Sequence, residues 1–318
     1  MCCWKVIVYS KVIVLIVKKL LVYIVRGFIY LFARLPLKVH YFIGGGIAWL
    51  LKNVFKYRYS VVATNVARSF PDKKYKSVRR VVDGFYTHMG ELMVEAIWFG
   101  GSSKKRVRKS GIVRVTNPEV LEQAYKDSPS VTVLSTHCGN WEMLGGIFTF
   151  FDASGIDYTF SQSTLRVVYK KLSSPVFDEV FKRNRIALLD GDGEQCVVES
   201  SNILRYAISH RDSKMIYIYP ADQAPYASAG KHFIGDFMSQ PTNAMQGSMG
   251  VACKLSHSVL YLKCRRVKKG SYEWTFIPMY DDASKVTPEE IMRKYYDLLE
   301  EEINETPSNW LWSHKRWK

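Results

Sequence analysis

From Ile112 to Asn304 short, β-branched apolar runs alternate with stretches of helical period, which limits the chain to a small set of architectures. The runs Ile112–Val115, Val131–Leu134, Tyr158–Phe160, Ile186–Leu189, Met215–Tyr219, Val259–Arg266 and Tyr272–Met279 read as strands. Between and after them Pro118–Lys126, Trp141–Phe151, Pro175–Arg183, Asn202–His210, Asn243–Lys254 and Pro288–Asn304 read as helices. Short runs that are apolar throughout suit strands buried on both faces, so the expected fold is α/β: a mixed, mainly parallel sheet flanked by helices. Residues 36–99 read as helices, and Tyr75–Phe99 carries Val78, Val82, Phe85, Met89, Leu92 and Ala96 near a 3.6 period. Gly100–Ser110 reads as a basic loop. The organisation expected is a helical region over 1–56 and an α/β domain over 57–318.

The net charge of +16 is unevenly placed. No carboxylate precedes Asp72, whereas eleven lysines and arginines do, and they interrupt the most apolar part of the chain. On a helical wheel Lys5, Lys11, Lys18, Lys19, Arg26 and Arg34 fall within an arc of about 160°, leaving valine, isoleucine, leucine and aromatic residues opposite. A basic amphipathic helix lying in the headgroup plane is expected rather than a spanning one, because no uninterrupted apolar run nears about 18 residues. The lysines also break any signal-peptide core, so the segment is expected to be retained. Positive charge beside apolar surface favours anionic lipid and the cytoplasmic side. Nucleic acid is not expected as a partner, since the charge is interleaved with aliphatic rather than stacking side chains. The six cysteines lack metal or disulfide spacing, which fits a reducing compartment and no bound metal.

Chemistry is suggested by His137-x4-Glu142, which follows the run Val131–Leu134. The histidine would stand at the carboxyl end of a strand, where open α/β sheets collect ligands. Within one helix, positions i and i+5 lie about 140° apart, so Cys138-Gly-Asn must form a turn that lets Glu142 fold back onto one imidazole nitrogen. The other nitrogen would then take a proton from a hydroxyl. Chance alone supplies such a pair in a chain this long, so the surroundings carry the argument. Asp222 and Gln223 follow the strand ending at Tyr219 and share that sheet edge. Arg183 and Arg185 end a helix, and Asp190–Glu194 reads as a tight turn rather than a cation loop. Cys138 is excluded as a nucleophile, because neighbours along a strand face opposite ways. The segment Trp310–Lys318 suits either a membrane-interface aromatic belt or a tail docked on the core.

Together these residues resemble the late acyltransferases of lipid A biosynthesis, the lauroyl/myristoyl type within the lysophospholipid acyltransferase superfamily. The matching positions are Tyr57-Arg58 to Asn65, Ser69-Phe-Pro71, Phe85-Tyr-x-His to Glu95, His137-x4-Glu142, Tyr169, Arg183-Asn-Arg185, Asp222-Gln223, Phe237-x-x-Gln-Pro-Thr242 with Gly247, and Trp312–Trp317. The chain departs at Lys170-Lys171, where the family has Arg-Pro, and at Met249, where a glutamate is usual. The resemblance implies a glycerolipid acyltransferase-like fold and O-acyl transfer without a covalent acyl-enzyme. His137, Glu142, Arg185 and Asp222 would be catalytic, with Asn140, Tyr169, Arg183 and Gln223 as substrate contacts. Arg185 would bind an oxyanion or phosphate, and Asp222 would order that arginine or its own loop. It implies no cofactor, acyl carrier protein or coenzyme A thioester as donor, and an anionic glycolipid or phospholipid acceptor at the cytoplasmic face of the bacterial inner membrane. The alternatives are acylation of a lysophospholipid or aminolipid, and a non-catalytic membrane-binding protein.

Overall fold

The structure is a computed structural model that describes residues 2–191, 193–225 and 232–317, with side chains from Ile16 onward. Its elements are α1 (Cys2–Ala33), α2 (Leu37–Trp49), α3 (Tyr59–Ser69), α4 (Tyr75–Gly100), α5 (Lys104–Ser110), β1 (Val113–Val115), α6 (Pro118–Asp127) and β2 (Val131–Ser135). There follow α7 (Ile147–Ser154), β3 (Leu165–Tyr169), α8 (Pro175–Arg185), β4 (Val197–Glu199), α9 (Ile203–Ser209) and β5 (Ile216–Pro220). The chain continues through β6 (His232–Phe237), β7 (Gln240–Ala244), α10 (Gly247–Lys254), β8 (Ser258–Lys268), β9 (Ser271–Tyr280) and α11 (Pro288–Glu305).

Seven strands form one sheet in the order β1-β9-β8-β2-β5-β3-β4, parallel at every junction except β8–β9. The period-2 rule divides the side chains cleanly between two cores. Leu134, Tyr217, Tyr219, Val259 and Tyr261 enter one cluster, while Val131, Val133, Ile216, Ile218 and Leu260 enter the other. Burial on both faces is why these strands carry so few polar residues. Each buried aliphatic side chain contributes about 1.5–3 kcal/mol.

Several boundaries differ from the sequence reading for identifiable reasons. Tyr158–Phe160 is not a strand: the rings of Tyr158 and Phe160 pack at tilted angles on each other and on Phe148 and edge-on to Phe151, while the Thr159 amide donates to Glu122 at 2.9 Å. The strand there is β3, disguised by Arg166, a buried arginine whose Nε donates to the Tyr206 hydroxyl at 2.6 Å. Ile186–Leu189 is a turn that ends α8. The basic segment 104–110 is helical, started by the Ser103 hydroxyl, which accepts from the Arg106 amide. Arg106 in turn hydrogen-bonds the carbonyls of Ala33 and Leu35 where α1 stops. The hairpin β6–β7 turns at Met238 and Ser239 with φ of 52° and 59°, so it lacks the Asn-Gly cue that usually marks left-handed turn residues.

Lys5 and Lys11 lie outside the described side chains. From Lys18 onward, α1 packs Val22 and Ile29 against Val180 of α8. Eighteen of the 26 exposed large apolar residues lie between Ile16 and Tyr59, which concentrates the apolar surface of the described residues on α1, α2 and the chain just after them. Among the described residues no single helix is long and apolar enough to cross a membrane, although Ile16–Ala33 and Leu37–Val54 pass that test together across a bend of 119°.

Glu302 on α11 lies buried beneath the sheet, accepting from the Tyr261 hydroxyl and from the Cys264 amide at 2.8 Å. Burial pushes its carboxyl up from 4.5 to about 7. The folded state therefore binds more protons than the unfolded one between these values, so this group's stabilisation is complete below pH 4.5 and lost as pH rises through 7. The stability difference between the parent and Glu302→Gln is expected to fall by roughly 3 kcal/mol across that window. Denaturant titrations at stepped pH would show a flat difference if the carboxyl were ionised throughout.

Candidate active site

Strands β2 and β5 pair with Ser135 opposite Pro220. Two residues past each end, the same register sets His137 opposite Asp222. His137 Nδ1 lies 2.6 Å from Asp222 Oδ1, and the His137 amide donates to Oδ2 at 3.0 Å. Trp310 Nε1 donates to Oδ2 as well, at 2.7 Å. Burial alone would raise the Asp222 pKa, but the charge of His137 and these three donors outweigh it and hold the carboxyl at about 2. A permanent carboxylate fixes the proton on Nδ1 and leaves Nε2 as the acceptor. That nitrogen is 3.1 Å from Gln223 Nε2, an amide that can donate to it. Trp141 packs edge-on to the imidazole with ring centroids 5.0 Å apart.

Glu142 does not hold the histidine. Residues 141–146 form a 3-10 turn before α7, and the Glu142 carboxylate faces α8, where Arg185 Nε and Nη2 donate to its two oxygens, each at 2.8 Å. The expectation that Glu142 orients His137 is corrected on this geometry: Asp222 does so, and Glu142 anchors Arg185. Asp222 accordingly orders the His137 loop rather than the arginine. Burial would lower the Arg185 pKa, but the Glu142 charge and hydrogen bonds reverse that and raise it. Gly145 permits the approach, since a Cβ there would meet the Arg185 carbonyl oxygen at 1.7 Å.

The turn between His137 and Glu142 is held from behind. Gly139 has φ of 59°, and a Cβ on it would lie 2.4 Å from Cys264 Sγ. Its carbonyl meets His88 Nε2 at 3.1 Å, and its amide donates to the Asn309 carbonyl at 3.0 Å. Asn140 Nδ2 donates to Glu95 at 2.8 Å, and Tyr41 and Tyr272 hydroxyls donate to the same carboxylate at 2.9 and 2.8 Å. Asn140, expected as a substrate contact, is only 1% exposed and does not line the cavity; its hydrogen-bond partner is Glu95, through which it holds the turn. The carboxyl-terminal segment docks on the core: Trp310, Trp312 and Arg316 are buried. Arg58 and Asn65 donate to carbonyls of Trp312, Ser313 and His314. Cys138 is buried too, its thiol pushed well above its usual range by burial and by the nearby carboxylate of Glu302, which fits its exclusion as a nucleophile.

In front of His137 lies a cavity of about 470 Å³, lined also by Glu142, Arg185, Tyr169 and Gln223 and otherwise mainly by apolar side chains. Its lining residues on β3 run from Tyr169 to Leu165, four residue rises or roughly 13 Å, with Cys196 beside the Leu165 end. Arg183 is not on this cavity. It points the other way from α8, toward α1, and its Nε pairs with Glu179 at 2.6 Å. Arg183, expected as a substrate contact, therefore does not line this cavity. The residue that sequence reasoning missed is Trp310; an aromatic in a Trp-rich tail gave no sign that its indole completes the Asp222 cage. Among the described residues no cluster of metal-binding side chains occurs.

Comparison with known proteins identifies the family. The family described as bacterial lipid A biosynthesis acyltransferase matches residues 10–318. Two similar proteins are the lipid A biosynthesis palmitoleoyltransferase of Escherichia coli (strain K12) and a lipid A biosynthesis acyltransferase of Shigella flexneri. Each is 21% identical over 296 residues, covering 92% of this chain and 89% of the relative. With the match running through the α-helical amino-terminal region, the His137 edge and the docked tail alike, the chain belongs to the bacterial lipid A biosynthesis acyltransferase family and is an acyltransferase.

Proposed function

We propose that the protein moves a fatty acyl chain from the thioester of an acyl carrier, acyl carrier protein or coenzyme A, to a hydroxyl of a phosphorylated lipid A precursor. The reaction would take place at the cytoplasmic face of the bacterial inner membrane, with the exposed apolar surface of α1 and α2 against lipid. The observation that carries this reading is a single one: His137 lines a mainly apolar cavity while Asp222 holds its Nδ1, which leaves Nε2 for the substrate.

His137 Nε2 removes the acceptor proton as the hydroxyl oxygen attacks the thioester carbon, giving a tetrahedral oxyanion. Collapse breaks the carbon–sulfur bond, the imidazolium returns its proton to the departing thiolate, and an ester remains with no acyl-enzyme. Gln223 occupies Nε2 in the structure and yields to the hydroxyl when substrate binds. Arg185 reaches the cavity from the opposite wall. Glu142 engages two of its donors, which leaves Nη1 to meet the oxyanion or an acceptor phosphate.

The cavity takes the acyl chain. An extended hydrocarbon advances about 1.25 Å per carbon, given tetrahedral geometry and a carbon–carbon bond near 1.52 Å, so the length along β3 accommodates roughly ten carbons. Filling the Leu165 end by Cys196→Phe is expected to shift the preferred donor toward shorter chains, with selectivity changing about tenfold to a hundredfold for the loss of room for two or three methylenes. Competition between donors of different length, read by product mass, checks this; unchanged selectivity would remove the chain from this cavity. The function itself is tested by incubating purified protein with carrier thioesters and either a lipid A precursor, a lysophospholipid or an aminolipid. Acylation confined to one of the latter two would replace the acceptor named here, and none with any acceptor would overturn the proposal.

A further inference from the structure

A second, smaller concavity of about 170 Å³ lies between α1 and α8, on the side of α8 away from His137. It is lined by Lys18, Lys19, Val22, Tyr23, Glu179 and Arg183. The Arg183 guanidinium lies 5.7 Å from the Tyr23 ring centroid and spends its Nε on Glu179. Arg26 follows Lys19 by seven residues and so shares its face of α1. Its Nη1 is buried and has no hydrogen-bond partner among the described residues. Desolvation and the nearby charge of Arg183 both lower the Arg26 pKa. Lys18, Lys19 and Arg183 thus line the groove with one carboxylate among them, and Arg26, just outside its lining, is near enough to Arg183 for the two charges to repel, with a buried donor unsatisfied. Such an arrangement is costly unless an anion completes it.

The surroundings identify the carrier of that anion. Ile16, Leu20, Ile24 and Phe28 on the outward side of α1 and Phe177 on α8 are exposed on the two helices that bound the groove, an apolar surface that water does not favour and acyl chains do. Planar guanidinium forks match phosphate oxygens two at a time. We infer that the α1–α8 groove is a binding site for the phosphate group of a membrane lipid, gripped by Arg26 and Arg183 with Lys18 and Lys19 at its rim. Naming the lipid A precursor as one source of that phosphate rests on the proposed function; naming a bulk phospholipid does not. Because Arg183 and Arg185 end the same helix, occupancy of the groove would also fix the end of α8 that carries Arg185 into the reaction cavity.

Sedimentation with vesicles tests the site without relying on catalysis. One arm uses phosphatidylcholine vesicles with and without phosphatidic acid, and the other uses neutral vesicles carrying the lipid A precursor or its dephosphorylated form. Arg26→Gln/Arg183→Gln is expected to weaken binding to the phosphate-bearing vesicles about thirtyfold. Arg26→Lys/Arg183→Lys, which keeps the charge but loses the forks, should still weaken it roughly tenfold, while the surface control Lys285→Gln should not. Loss in the first arm identifies a bulk phospholipid as source, and loss in the second alone identifies the precursor. If the lysine variant, with a thermal midpoint like the parent's, binds both kinds of vesicle as the parent does, the attraction is charge alone and the site does not exist.

Discussion

Asp222→Asn is expected to reduce the rate of acyl transfer about a thousandfold or more with little change in fold, a larger loss than Glu142→Gln produces. The carboxylate accepts the His137 Nδ1 proton at 2.6 Å; an amide in its place presents a donor on one side and favours the tautomer with the proton on Nε2, where it cannot accept from a hydroxyl. Loss on this scale matches what tautomer control contributes in histidine-based acyl transfer generally. His137→Ala should remove the general base altogether and leave only what positioning and oxyanion contacts supply. Trp310→Phe deletes one of three donors to Asp222 and should fall between these and the parent. Single-turnover rates with a preformed thioester measure all of them, and an Asp222→Asn enzyme with near-parental turnover would exclude Asp222 as the partner of the base.

The second large effect concerns Glu142 and Arg185. Their bidentate pair is mostly buried, so Arg185→Ala or Glu142→Ala strands a desolvated charge and is expected to cost about 3–5 kcal/mol of stability. Joint replacement as Glu142→Gln/Arg185→Met removes both charges and should recover most of that stability. It should not recover acyl transfer, because the cation at the cavity wall is gone. Recovery of stability and activity together would reduce the pair to a structural bolt. Thermal midpoints and turnover measured on the same three variants separate the two contributions.

The alternation of short apolar runs was sufficient to foresee an α/β sheet with helices on both faces, because burial on two sides leaves a continuous apolar trace in each strand. It failed where chemistry interrupts the trace. Arg166 concealed β3, and the aromatic cluster at Tyr158 and Phe160 imitated a strand. The placement of His137, Asp222 and Gln223 at one edge was legible, since each follows an apolar run by three or four residues. Which carboxylate meets which base was not legible. That depends on the strand order, which sets β5 rather than the start of α7 beside β2, and on Gly145, which lets α8 approach and claim Glu142. Motif residues far from the cavity, Arg58, Asn65, His88 and Glu95, proved to brace the 137–142 turn and the docked tail, a duty that spacing along the chain does not reveal.

The strand order also bears on how activity is acquired. β5 lies between β2 and β3, although β3 and β4 both precede it in the chain. The His137–Asp222 pair, 85 residues apart in sequence, can close only once β5 has entered the middle of the sheet. Closure of so long a loop is slow beside helix formation. A refolding chain should therefore regain its helical dichroism well before the His137–Asp222 pair closes, and a sheet that traps β3 directly against β2 would be compact and helical yet lack that pair.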